Sequence, residues 1–185
     1  PTGPRQGSDP RHRDFPELMP PREPLDPRYR RGAGVVLFNA QAQVWVGQRI
    51  DNPVPAWQMP QGGLDPNEDP QAAAIRELEE ETGVKPSLSQ LLGGGEDWLS
   101  YDFPEELRKQ LWRGSYYGQQ QKWYAMRFLG SDSDINIETK HPEFSAWQWV
   151  ELEDTIDLIV PFKRALYQQI IDRFLPVRDQ LRLNP

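Results

Sequence analysis

Three glutamates on one helical face, Glu77, Glu80 and Glu81, constrain this chain more than any other feature. At positions i, i+3 and i+4 their carboxylates lie together, and like charges so placed destabilise an isolated helix. A cation between them converts that repulsion into coordination. Glu79 points away from the face. The helix itself is well marked. Asp69-Pro70 supplies a cap followed by a proline at the first helical position. Ala73, Ala74 and Leu78 give an apolar face, and Gly83 supplies a stop. Taken alone, Arg76–Glu81 would be an ordinary Glu-rich surface helix. It sits, however, in a longer pattern with Gly62, Glu68, Gly83 and Val84. That full pattern would arise by chance on the order of once per 10⁹ starting points. The spacing points to chemistry.

Composition narrows the cation. The chain has no cysteine and only two histidines, His12 and His141. Disulfides, thiol catalysis, thiolate metal sites and His-based zinc clusters are therefore excluded or starved of material. Carboxylates and carbonyls select hard ions such as Mg²⁺ or Mn²⁺. The net charge of −7 argues against a general affinity for nucleic-acid backbone. An anionic substrate still fits if positive groups converge locally or bound cations reverse the field. Apolar runs such as Val35–Phe38 are too short to cross a bilayer, and the first thirty residues hold no apolar signal core. The expectation is a cytoplasmic protein without membrane attachment.

At 185 residues the chain suits one domain. Residues 1–28 carry eight of the nineteen prolines and read as a flexible extension, followed by a domain over 29–180. Gly32–Asn39 reads as a buried strand and Gln43–Gln48 as its alternating hairpin partner, with Asp51–Gln61 as a loop. Strand-like segments recur at Trp98–Phe103, Lys122–Phe128 and Ala146–Val150. Leu166, Ile170, Ile171 and Phe174 mark a C-terminal helix over Pro161–Phe174. The elements mix without a βαβ rhythm, which favours an α+β or sandwiched mixed-sheet domain.

Gly62–Val84 resembles the signature box of the Nudix hydrolases without a departure. The resemblance implies the Nudix fold, a mixed β-sheet sandwiched between helices (α/β/α), with the box as a loop–helix–loop. It implies attack by water at phosphorus in a nucleoside diphosphate linked to another group. It also implies that Glu77, Glu80 and Glu81, joined by the Gly62 carbonyl, bind Mg²⁺ or Mn²⁺, two ions or more. Arg76 and Glu68 would brace helix and loop as an ion pair.

Further segments are similar to one branch of that family: Tyr29-Arg30, Trp57–Gly63, Trp98–Pro104, Gln121-Lys122-Trp123, Pro142-Glu143-Phe144 and Phe162-Lys163-Arg164. The branch contains bacterial RNA pyrophosphohydrolases and plant-type dinucleoside tetraphosphate hydrolases. By that resemblance Glu143 would be a further metal ligand or the general base. Arg30, Arg49 and Lys122 would contact phosphates, with Lys163 also on the substrate side. Phe162 would stack on a base or serve as a core aromatic. Tyr101 and the tryptophans read as core, and Trp57 also as an anchor for the loop before Gly62. One departure, Tyr29-Arg30-Arg31-Gly32 where the branch has Tyr-Arg-Pro-Asn, adds positive charge near the phosphate entrance. The leading expectation is removal of pyrophosphate from 5′-triphosphorylated RNA. The rival is asymmetric cleavage of dinucleoside polyphosphates such as diadenosine tetraphosphate. A non-catalytic nucleotide-binding protein on the same fold would typically lack box carboxylates that this chain retains.

Overall fold

The computed structural model describes residues 25–185. The expected proline-rich extension lies, apart from residues 25–28, outside the described residues. In chain order the elements are β1 (Tyr29–Phe38), β2 (Val44–Arg49), β3 (Trp57–Gln58), β4 (Gln61–Gly63), α1 (Pro70–Thr82), β5 (Ser89–Gly94), β6 (Leu99–Asp102), α2 (Glu105–Gln110), β7 (Gly118–Phe128), β8 (Phe144–Val150), α3 (Thr155–Leu158) and α4 (Arg164–Leu183).

The apolar run of β1 is continuous because both of its faces are covered. Ala33, Val35 and Leu37 pack with Ala73, Ala74 and Leu78 of α1, whereas Val36 and Phe38 pack with Leu166, Tyr167 and Ile170 of α4. β1 runs parallel to β7 in unbroken register from Tyr29 opposite Gly118 to Phe38 opposite Arg127. Antiparallel neighbours complete one eight-stranded mixed sheet: β2 and β4 beside β1, β3 and β8 beside β2, β5 and β6 beside β7. Helices on both faces make it the α/β/α sandwich expected from the sequence.

Local signals held where they were strong. Asp69 caps α1 by accepting the Ala72 N–H at 3.1 Å. Gly83 ends the helix at φ 73°, in the left-handed region that favours glycine. The Asp51–Gln61 segment is not all loop: it contains β3 and the first residue of β4. It is pinned from both sides, as Met59 N–H donates to the Tyr167 hydroxyl at 2.9 Å and Val35 N–H donates to the Pro60 carbonyl at 2.9 Å. α4 continues past Phe174 to Leu183 despite Pro176 within it. Arg178 pairs with Glu153, and Arg182 reaches Glu151 at 2.6 Å, so the last turns are tied to the segment before α3. Among the described residues no helix is long and apolar enough to cross a membrane.

Candidate active site

The site begins with two glycines. β4 sets Gly62 opposite Ala33 and Gly63 opposite Gly32, and α1 crosses in front of them. A β-carbon at Gly62 would overlap the Glu77 carboxyl group, and one at Gly63 would overlap the Arg30 guanidinium. Close approach, not backbone conformation, demands glycine here.

Arg76 organises the acidic side. Its Nε and Nη2 donate to both oxygens of Glu68 at 2.8 Å, and Nη2 also donates to the Gly63 carbonyl at 2.9 Å. Nη1 donates to Glu77 at 2.8 Å and Glu80 at 3.1 Å. The fork on Glu68 is charge-assisted and bidentate. Together with the Asp65 N–H it holds the Glu68 carboxyl down at about 2. The brace between helix and loop is thus present in the geometry.

Glu81 is buried beneath this surface. One carboxylate oxygen accepts the Gln61 N–H at 3.0 Å, while the other is buried without a hydrogen-bond partner. Burial pushes its pKa well above the usual carboxylate range, and the charge of the neighbouring Glu143 raises it further. Burial also raises Glu77, against the opposing pull of Arg76. Glu80 and Glu79 are exposed.

Glu77 and Glu143 stand between two openings. A cavity of roughly 660 Å³ carries Gly62, Gly63, Glu77 and Glu143, then Arg30, Arg49 and Lys163, and the rings of Tyr101 and Phe162. A second depression, of roughly 400 Å³, is lined by Glu77, Glu80, Glu81, Glu143 and His141. Arg49 pairs with Asp51 at the cavity edge. Lys163 is buried, and burial together with Arg49 lowers its pKa to about 8, opposed by the charges of Glu81, Asp51 and Glu143. Phe162 packs against the core beside Tyr101, 6.2 Å between centroids, and also lines the cavity.

Lys122 goes elsewhere. Alternation along β7 directs Gln119, Gln121 and Trp123 to one face and Lys122 to the other. Lys122 Nζ lies 5.1 Å from the Trp98 ring and lines neither opening. The sequence reading also passed over a buried polar relay under the cavity. Trp123 Nε1 donates to Gln121 at 3.0 Å, and Gln121 donates to Gln119 at 2.8 Å and to Gln61. The period-2 spacing of Gln119, Gln121 and Trp123 was the available signal. Tyr101 is buried, as expected of a core residue, yet borders the cavity.

The donor set suits a hard cation. It offers carboxylates and a backbone carbonyl, with no thiolate, and the unpartnered Glu81 oxygen is an acceptor that a cation would satisfy. Among the described residues no three His, Asp or Glu side chains form a ready cluster. The Arg76 guanidinium instead bridges Glu77 and Glu80.

A family model described as "NUDIX domain" matches residues 28–170. The chain belongs to the Nudix family. Its relatives include an RNA pyrophosphohydrolase of Roseobacter denitrificans, 56% identical over 84% of this chain and 98% of that protein. An RNA pyrophosphohydrolase of Rhodospirillum rubrum is 54% identical over 83% of this chain and 93% of its own length. Among solved structures, the C. elegans Ap4A hydrolase binary complex aligns at TM-score 0.56 and 22% identity, covering 78% of this chain and 98% of that one. The E. coli dihydroneopterin triphosphate pyrophosphohydrolase aligns at TM-score 0.59 and 19% identity with the same coverage. At such identities these two structures speak for the fold alone.

Proposed function

We propose that this chain is a metal-dependent hydrolase that removes pyrophosphate from the 5′ end of triphosphorylated RNA. One observation carries the reading: half-buried Glu77 and exposed Glu143 join a depression lined by Glu80 and Glu81 to a cavity that also carries Arg30, Arg49, Lys163 and the rings of Tyr101, Trp112 and Phe162. The relatives named RNA pyrophosphohydrolase, more than half identical over nearly their whole length, support the choice of substrate. A transcript as substrate agrees with the cytoplasmic residence expected from the sequence.

Glu77, Glu80, Glu81 and Glu143, with the Gly62 carbonyl, would hold two or more Mg²⁺ or Mn²⁺ ions. Bound there, such ions neutralise phosphate charge and lower the pKa of the attacking water. The chain's own residues supply the rest. Arg30 and Arg49 face the polyphosphate and offset its charge, and Lys163 carries a proton at pH 7 that adds to them. Phe162 offers a face to a base. Glu143 lines both openings and, where it is not itself a metal ligand, would accept the proton of the attacking water. The water oxygen bonds to phosphorus, the bond to the departing pyrophosphate breaks, and RNA with a 5′-monophosphate is left.

The test compares kcat/KM on triphosphorylated RNA and on diadenosine tetraphosphate at identical Mg²⁺. RNA is expected to lead, and a strong preference for the dinucleotide would overturn the assignment. Glu80→Gln and Glu81→Gln should each lose several orders of magnitude, since metal and proton-transfer contributions go together. Hydrolysis indifferent to both changes would point to a non-catalytic binding protein.

A further inference from the structure

Between α2 and β7 the chain exposes two large rings, Trp112 at 39% and Tyr117 at 45% of their surface. Each carries an arginine on its face. Arg30 Cζ lies 4.7 Å from the Trp112 ring centroid and Arg108 Cζ 4.6 Å from that of Tyr117, which also has Arg28, paired with Asp26, at 5.4 Å. Neither Arg30 nor Arg108 forms an ion pair among the described residues. The backbone is strained at the first of the two rings: Trp112 and its neighbour Arg113 have φ of 44° and 56°, a region that residues with side chains avoid. Trp112 keeps its position by stacking on Phe103, 5.8 Å between centroids.

Resting on the RNA reading above, we propose that this segment is a platform for the nucleotides that follow the 5′ end. Its stacking layers are Trp112 with Arg30 and Tyr117 with Arg108, in which the arginine either swings aside to leave the ring face to a base or stacks its own guanidinium plane on the base, and Arg108 is also a contact for the backbone phosphates. Two features argue for a single strand of RNA over a protein partner. Trp112 lines the same cavity as Glu77 and Arg30, so the platform begins at the cavity wall, with Tyr117 and Arg108 outside it. The patch is also cationic and aromatic on a chain of net charge −7, and aromatic faces flanked by arginine hold unpaired bases with little regard to sequence.

The test measures kcat/KM on a triphosphorylated dinucleotide and on a triphosphorylated RNA of about eight nucleotides, and reads the ratio. The parent should favour the longer RNA by about tenfold or more, the worth of one to two stacked bases. Tyr117→Ala, Arg108→Gln and Trp112→Ala should each shrink that ratio, and Trp112→Phe should restore most of it. Binding of a 5′-hydroxyl RNA of the same length gives a second arm that needs no hydrolysis. There Tyr117→Ala should weaken affinity about tenfold, and Arg108→Gln should reduce the slope of log K against log salt by about 0.7. A parent without length preference, or variants that keep it, would overturn the platform. If the parent cleaves diadenosine tetraphosphate but neither RNA, the reading of function fails. The binding arm then decides the platform alone, which stands if binding depends on Tyr117 and falls if it does not.

Discussion

Gly62→Ala is the smallest change that separates fold from chemistry. A methyl group there would overlap the Glu77 carboxyl group. Carbon contacts settle at about 3.5–4.0 Å, so the carboxyl must withdraw by roughly 1 Å or more. The side chain is flexible and can yield, which limits the stability cost to about 1–2 kcal/mol. Its 2.8 Å bond from Arg76 Nη1 is lost or redirected in the process. A misplacement of about 1 Å at a catalytic group costs on the order of 10²-fold in rate. Gly62→Ala should therefore stay folded while kcat/KM for pyrophosphate release falls about 10²-fold or more. Gly93→Ala is the control, because a β-carbon there meets nothing within 4 Å. Urea unfolding and pyrophosphate release at saturating Mg²⁺ would be measured on both. Activity of Gly62→Ala within about threefold of the parent would refute the argument that this contact sets the carboxylate.

Three further outcomes follow from the same contacts. Glu68 is held at about 2 against an ordinary 4.5, so its bond to Arg76 contributes fully above pH 4.5 and fades as pH falls towards 2. Glu68→Gln should cost about 1–2 kcal/mol at pH 7 and flatten the acid limb of the stability profile; identical acid limbs would show that the pair contributes nothing. Tyr167→Phe leaves the buried Met59 N–H without its acceptor and should cost about 1–3 kcal/mol in urea unfolding, whereas an unchanged midpoint would mean another acceptor takes over. Glu81→Gln removes a buried ionisable group beside Glu143 while an amide oxygen can still accept from Gln61. Without divalent ions that variant should be at least as stable as the parent, and Mg²⁺ should raise the Tm of the parent only. A parent Tm indifferent to Mg²⁺ would sink the metal assignment.

What the sequence made legible was local. Asp69, Pro70 and Gly83 each act within one helical turn, so α1 and its carboxylate face could be read without knowing the rest of the fold. β5 could not: Ser-Gln-Leu-Leu-Gly-Gly has little strand propensity, leaves Leu91 exposed, and becomes a strand only by pairing with β7. Lys122 shows the same limit in another form. Gln121-Lys122-Trp123 reads as one motif, yet the pleat of β7 sends its members to opposite faces. The cavity walls are less legible still, since Arg30, Tyr101 and Phe162 come from three separate elements. This division has a functional counterpart. On the proposed reading the local part of the site holds most of the groups that would act on the bond, Glu77, Glu80 and Glu81, and the non-local part, Glu143 apart, holds those that would meet whatever the bond is attached to. Glu80→Gln should accordingly lower kcat/KM on triphosphorylated RNA and on diadenosine tetraphosphate alike, whereas Phe162→Ala should change their ratio. Equal losses on both substrates in Phe162→Ala would place that ring in the core and not in the recognition of substrate.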